Sequence, residues 1–538
     1  MRDKNDTTAG NRTQTLQLLQ KSNTRLAARH LGELIREAGR FERFSLGIKG
    51  LLLDYSRVRI DARAVAELLH LATAAGLKQS RNALFAGDKV NRTEQRPALH
   101  MALRSPQLLS SVDPADAARV RQAHETMLKL AGELHQGRLP GASGARVRHI
   151  VHVGIGGSLL GTRLVCEALD QGDSPLTAHF LGSVDALMRE RLMARIDPAE
   201  TVVILVSKSF TTGDTLLHGQ RLNDWLTGAL GEEGASQRLY AVSSRPDRAR
   251  EFGVAEQHIL YLPDWVGGRF SLWSPVSLTA AALVGPRRFE ELLAGAACMD
   301  THFQDASLPG NLPVVFGLLG IWHRNICQYR AWGVMPYDQR LRLLPAYLQQ
   351  LIMESTGKSV TVEGEPAGLA TAPVVFGETG TEAQHSVFQA MHQGYDIVPL
   401  NFIGVIRPAH SDRAAHDELL ANLLAQVTAL ASGRDEAQTR AELGERNAAL
   451  LPHRTFAGNR PSELILLDEL NPFNLGMLLA LYEHKVFVES VIWDINAFDQ
   501  WGVELGKTLA PGIQSVLREG GDADPSLTQV LDYIQERR

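Results

Sequence analysis

The sequence predicts an α/β fold in two parts, each a doubly wound parallel sheet, with additional N-terminal helices and a helical C-terminal tail. Three observations carry this. Thr201–Val206 (TVVILV) is a continuous β-branched run, as expected of a parallel strand buried on both faces. Shorter apolar runs of the same kind alternate with helical stretches between 147 and 280. A second alternation of strand and helix patterns begins near 372.

The elements follow in order. Residues 14–130 are rich in helix formers at helical spacing, as in Leu16, Leu18, Leu19 and Ala64–Ala75. Gly50–Tyr55 contains one short apolar run that suits a strand. Residues 136–146, rich in Gly, Pro, Ala and Arg, read as a domain linker or a turn before the first βα unit. Strands are then expected at His149–Val153, Thr177–Leu181, Thr201–Val206, Leu239–Val242 and His258–Leu262. The second series is a strand at Ala372–Phe376, a helix at Glu382–Met391 and a strand at Ile397–Ile406. Residues 417–449 read as helical and charged on one face, Phe473–Ile492 as a long and mostly buried helix, and the last residues as helix again.

Bulk properties bound the function. At 538 residues the chain is too long for one core, so two domains are expected, or three. A formal charge of −5 and pI near 6.4 argue against nucleic acid as the main partner. The three cysteines, Cys166, Cys298 and Cys327, are widely spaced with no CxxC, which suits buried, reduced thiols. The polar N-terminal stretch has no apolar signal-peptide core and no apolar run reaches about 20 residues, so a cytoplasmic location with no membrane contact is expected. The 18 histidines are scattered and no HExxH occurs. No metal and no cofactor are expected.

Two loops suit a phosphate. Gly154–Gly161 (GIGGSLLG) joins a predicted strand to a predicted helix, where glycines allow close backbone approach and free N–H groups face an anion. A dinucleotide fingerprint needs Gly at 159, where this chain has Leu. Taken alone, the loop is also explained as a tight turn without a ligand. Ser207–Thr215 (SKSFTTGDT), directly after the TVVILV strand, gathers five hydroxyls and an ammonium at the end of a parallel strand where ligands bind. Glu354–Ser359 (ESTGKS) mimics the end of a P-loop but has Ile352 where Gly is required.

The candidates for chemistry are a carboxylate at Glu354, an imidazole at His385, an ammonium at Lys507 and a guanidinium at Arg269. Taking a proton beside a carbonyl requires a positioned base, and the developing enediolate requires a fixed cation. Taken singly, each has a bland reading. Glu354 is a helix dipole partner, His385 a packed imidazole, Lys507 a solvated charge, and Arg269 a partner of Asp264. Glu378 is the rival base, lying near His385 in sequence. The charges of Tyr482–Lys485 are expected to pair structurally or at a subunit interface.

With these residues in view, the chain resembles the glucose-6-phosphate isomerase family over most of its length. The motifs are Gly87–Glu94 (GDKVNRTE), GIGGSLLG, SKSFTTGDT, Val266–Trp273 (VGGRFSLW), Met353–Lys358 (MESTGK), Gly377–His385 (GETGTEAQH), Gly458–Pro461 (GNRP), Tyr482–Phe487 (YEHKVF) and Phe498–Lys507 (FDQWGVELGK). The resemblance implies sugar-isomerase-type α/β domains and interconversion of glucose 6-phosphate and fructose 6-phosphate through a cis-enediol, in glycolysis and gluconeogenesis. It implies Glu354 as the C1–C2 proton-transfer base, with Gln350 as a substrate contact. His385 and Lys507 are implied in ring opening, and Arg269 near the enediolate. Gly157, Ser158, Ser207, Lys208, Ser209 and Thr212 are implied around the phosphate. A homodimer is implied too, with His385 reaching across from the partner. The expected division is an N-terminal helical segment at 1–120 packing on the larger domain, a first sugar-isomerase domain at 121–290, a second at 291–510 and a tail at 511–538. The sequence departs from the common family pattern at Thr356, where Asn is usual, and at 379–384, which read TGTEAQ where PGTNGQ is frequent. The alternatives are a non-catalytic sugar-phosphate-binding regulator and an isomerase that also accepts mannose 6-phosphate.

Overall fold

The computed structural model describes residues 2–139, 146–521 and 524–538. Residues 140–145, within the predicted linker 136–146, lie outside the described residues. The chain divides into two compact units, one ending at Ala497 and the other spanning Phe498–Arg538.

The first unit holds two sheets. One is five-stranded and wholly parallel, in the order β4-β3-β5-β6-β7. Its strands are β3 (His149–Val153), β4 (Thr177–Leu181), β5 (Thr201–Val206), β6 (Leu239–Ser243) and β7 (Ile259–Tyr261). Every residue of β5 is buried, as expected of a central strand covered on both faces. The apolar residues Leu222 and Leu226, from the helix Gly213–Ser236, pack with Val203 and Leu205 in one core. From β3 the chain crosses outward to β4, then returns to the other side of β3 as β5. That reversal opens a crevice beyond the C-terminal ends of β3 and β5, where ligands bind in open α/β sheets.

The other sheet has the order β1-β2-β11-β10-β8-β9. Its strands are β1 (Ser45–Ile48), β2 (Leu51–Asp54), β8 (Ala331–Tyr337), β9 (Val374–Gly377), β10 (Leu400–Arg407) and β11 (Ser462–Glu469). Strands β11, β10, β8 and β9 run parallel, with Ile403 opposite Ile465. The edge differs from the expected all-parallel sheet, because β1 and β2 form a hairpin whose second strand lies antiparallel to β11. Its two-residue turn, Lys49-Gly50, takes φ of 39° and 87°, the positive values that match the twist of a tight hairpin.

The predicted helix Glu382–Met391 is two short helices, Gly380–Gln384 and Phe388–Gln393, interrupted at residues 385–387. The helical stretch 417–449 is likewise broken, at Gly433 and Gly444 with φ of 63° and 65°. The helix Pro472–Trp493 is buried almost end to end. In the second unit, the helices Glu504–Glu519 and Thr528–Gln535 are joined by a hydrogen bond from Gln535 to the Val516 carbonyl. No helix among the described residues is long and apolar enough to cross a membrane.

Candidate active site

At the end of β3 the chain turns through Gly154–Ser158. Gly156 has φ of 57°, and a Cβ there would lie 2.8 Å from the Gln350 amide nitrogen. A Cβ on Gly157 would lie 2.2 Å from the carbonyl carbon of Gly268. Backbone blocks any side chain at Gly157 and the left-handed φ favours glycine at 156, so this loop lies against both the VGGR turn and the Gln350 side chain. Beneath it, buried His152 is hydrogen-bonded to the Ser158 carbonyl (2.7 Å) and the Thr279 hydroxyl (2.9 Å). A carbonyl accepts only, so Nε2 donates; the ring is neutral because it is buried, which leaves Nδ1 to accept from the threonine hydroxyl. Burial pushes the His152 pKa down to about 4.

Ser207–Thr212 leaves the end of β5. Phe210 sits at φ 50°, a left-handed geometry rare for a bulky residue, and its buried ring holds it there, edge-on to Phe252 at 5.8 Å. The turn brings Ser207 and Thr212 hydroxyls within 3.1 Å and leaves Ser209 and Thr211 exposed, 2.7 Å apart. Lys208 donates to the carbonyls of Asp264 (2.7 Å) and Val266 (2.9 Å), which fastens this loop to the VGGR turn. Burial lowers the lysine's pKa, with the charge of Asp264 acting in the opposite direction.

The alternative pairing of Arg269 with Asp264 is not what the structure holds. The buried guanidinium gives Nε to the Ser355 hydroxyl (2.6 Å) and Nη2 to the Ala497 carbonyl, and Nη1 lies 3.9 Å from Glu354 Oε2. Glu354 ends a wide π-type turn, Gln350–Glu354, that continues the helix Leu344–Gln349. Such turns recur at functional sites. Leu351 and Ile352 anchor it in the core while Gln350 and Glu354 stay partly accessible. Thr356 is fully buried and donates to the Ile352 carbonyl (2.7 Å), so the departure from Asn serves the turn itself. Lys358 donates to the carbonyls of Glu354, Ser355 and Asn496, each at 3.1 Å. Asn496 in turn donates to Asn91 and Thr93, which places the N-terminal motif behind the same turn.

Each of the other candidates has its own setting. Glu378 is exposed and accepts a 2.5 Å hydrogen bond from Ser386. His385 is exposed at the break between the two short helices. The departing segment 379–384 is built in: Gly380 lies flat against the Tyr337 ring, and Gln384 donates to the Tyr337 hydroxyl (3.0 Å). Lys507 lies in the second unit on the helix Glu504–Glu519, exposed, 2.9 Å from Glu504. The Tyr482–Lys485 charges pair inside the chain: Glu483 with Arg104, His484 with Asp300, Lys485 with Glu489.

Sequence reasoning missed Ser355 and His152. Ser355 stood beside Glu354 in a motif already noted, whereas a lone His in a strand carries no signal. Together the parts bring backbone N–H groups, hydroxyls and a lysine to one end of a parallel sheet, with a carboxylate facing a buried guanidinium, an arrangement able to hold an anion and to move a proton.

The family model for phosphoglucose isomerase matches residues 54–531. A glucose-6-phosphate isomerase of Brucella anthropi is 45% identical over 517 residues, covering 93% of this chain and 94% of the relative. That of Brucella melitensis biotype 2 is 44% identical over the same length and shares. Among solved structures, a glucose-6-phosphate isomerase from Chlamydia trachomatis superposes with TM-score 0.83 at 30% identity, over 97% of this chain and 99% of that one. A Thermus thermophilus protein described as hypothetical gives TM-score 0.63 at 26% identity, over 86% and 100%. The chain belongs to the phosphoglucose isomerase family.

Proposed function

We propose that the protein interconverts D-glucose 6-phosphate and D-fructose 6-phosphate, as its named relatives do. The observation that carries this is the pairing of Glu354 with Arg269 beside two phosphate-type loops at the sheet's reversal point. In this reading the phosphate rests on the backbone of Gly157 and Ser158 and on the hydroxyls of Ser207, Ser209 and Thr212. Lys208 supplies positive charge and holds the loop. His385 and Lys507 open the ring, one giving a proton to the ring oxygen as the other takes the hydroxyl proton from C1. Glu354 then removes the proton at C2. The C1 carbonyl becomes an enediolate whose charge Arg269 balances, and Gln350 orients the substrate. The hydroxyl proton on O2 passes to O1, and the same carboxylate returns its proton to C1 as the carbonyl forms at C2.

His385 is exposed, which suits a residue offered to the crevice of a second copy. The proposal therefore includes a homodimer with shared sites, acting in the cytoplasm in glycolysis and gluconeogenesis. The division into 1–120, 121–290, 291–510 and 511–538 is proposed with it.

Fructose 6-phosphate supplied with glucose-6-phosphate dehydrogenase and NADP tests the reaction through NADPH formation. A signal is expected; binding without a signal would move the reading to a sugar-phosphate sensor. Refolding a mixture of Glu354→Gln and His385→Asn chains tests the shared site. Hybrid dimers carry one intact site, so activity returns if His385 crosses; failure to recover any would place both residues in one subunit's site.

A further inference from the structure

Behind Arg269 lies a buried charged cluster that the reaction does not use directly. Arg104 holds both oxygens of Asp300 (2.7 and 2.6 Å) and gives its remaining terminal nitrogen to Glu483 Oε2 (2.9 Å). The other oxygen of Glu483 accepts the indole N–H of Trp273 at 2.7 Å, and the Arg104 guanidinium lies 4.3 Å over that same ring. His484 completes the cluster on Asp300 at 2.7 Å. Arg104, Asp300, Trp273, Glu483 and His484 are all at most 6% exposed.

Trp273 ends the short helical turn Gly268–Trp273, and Arg269 is the second residue of that turn. A second arm reaches it from the same side. His100 stacks on Phe270 at 4.7 Å with 26° between the planes, and the Phe270 ring lies 5.4 Å from the Arg269 guanidinium. The turn is thus clamped from behind by residues of three distant segments: 100–104, the helix Pro286–Asp305 and the helix Pro472–Trp493. Buried ion clusters contribute little to stability compared with apolar packing of the same volume, and their attested use is to fix one geometry. Here the geometry they fix is that of the guanidinium that faces the Glu354 carboxylate.

We propose that Trp273, held by Glu483 and Arg104, is a positioning residue for Arg269, setting the guanidinium where charge develops in the enediolate. The inference rests on the reading of Arg269 given above.

The test is Trp273→Phe, which keeps an aromatic ring and removes only the N–H donor. With fructose 6-phosphate as substrate, kcat is expected to fall roughly tenfold, the scale of one lost hydrogen bond to a charged group, while KM moves less than about twofold. The decisive readout is a double-mutant cycle with Arg269→Ala. If Trp273 acts through Arg269, Trp273→Phe costs no further kcat in the Arg269→Ala background. If the same factor persists there, or if only the thermal midpoint falls and kcat per folded molecule is unchanged, the proposal is overturned. Should Trp273→Phe fail to fold, Phe270→Leu removes the other arm and enters the same cycle with the same two outcomes. An Arg269→Ala variant of undiminished kcat would refute the Arg269 reading itself, a result independent of anything Trp273→Phe shows.

Discussion

The two sheets of the first unit solve different problems at their C-terminal ends. The five-stranded sheet ends β3 and β5 in short turns of glycine and hydroxyl residues set directly on the strands. An anion placed there meets donors whose positions are dictated by the backbone. The six-stranded sheet delivers Glu354 differently, from a helix and wide turn inserted between β8 and β9 and buttressed by Lys358, Asn496 and Asn91. Binding groups need little more than a strand end, whereas a base must be aimed, and aiming takes a supporting layer. The difference teaches that the two tasks are separable, and perturbing each end should move a different kinetic constant.

The largest expected effect is at the aimed end. Glu354→Gln keeps the shape and removes the proposed base, so kcat should fall by about 10³-fold or more with KM within a few-fold. A kcat within tenfold of the parent would transfer the base to Glu378.

Next in size is an effect on the platform under the Gly154–Ser158 loop. His152 is buried and its pKa lies at about 4 against 6.5 for the free side chain. The unfolded chain takes up this proton between 6.5 and 4 while the folded chain does not. Stability from this group is therefore complete above 6.5 and declines by about 3 kcal/mol as pH falls to 4. Urea midpoints across that range should drop less steeply in His152→Gln than in the parent; parallel slopes would refute the linkage.

The smallest effect is at the binding turns. Ser207→Ala or Thr212→Val should raise KM for fructose 6-phosphate about tenfold, the loss of one hydrogen bond to a charged phosphate, and leave kcat within about twofold. A fall in kcat at constant KM would break the division of labour between the two ends.

What the sequence made legible follows the same division. Strand β5 and the position of the loop after it could be read because a buried parallel strand is apolar throughout and its loop must begin where the apolar run stops. The other sheet was only half visible. Strand β8 contains Gly333 and Pro336, residues that weaken any strand pattern, and it is recognisable only from its neighbours β9 and β10. Strand β11, not expected from the sequence, opens with Ser462 and Glu463, polar yet buried, and keeps only Leu464–Leu467 as an apolar run. The hairpin β1–β2 joins that sheet from more than 400 residues away, a pairing no local pattern encodes. In the site, the motifs named the titratable groups, but not that Arg269 would turn from Asp264 to Ser355. That choice is made by tertiary packing.

The wide turn at Gln350–Glu354 has one more consequence. An ordinary helix advances about 100° and 1.5 Å with each residue, and the π-type turn accommodates an extra residue before the helix resumes. Deleting one residue from this stretch would let it relax into a regular helix and swing the Glu354 carboxylate by about a quarter-turn, away from Arg269, without altering any catalytic side chain. In the proposed mechanism the number of residues between Leu344 and Ser355 therefore matters as much as their identity, and this stretch should accept point substitutions more readily than a change in its length.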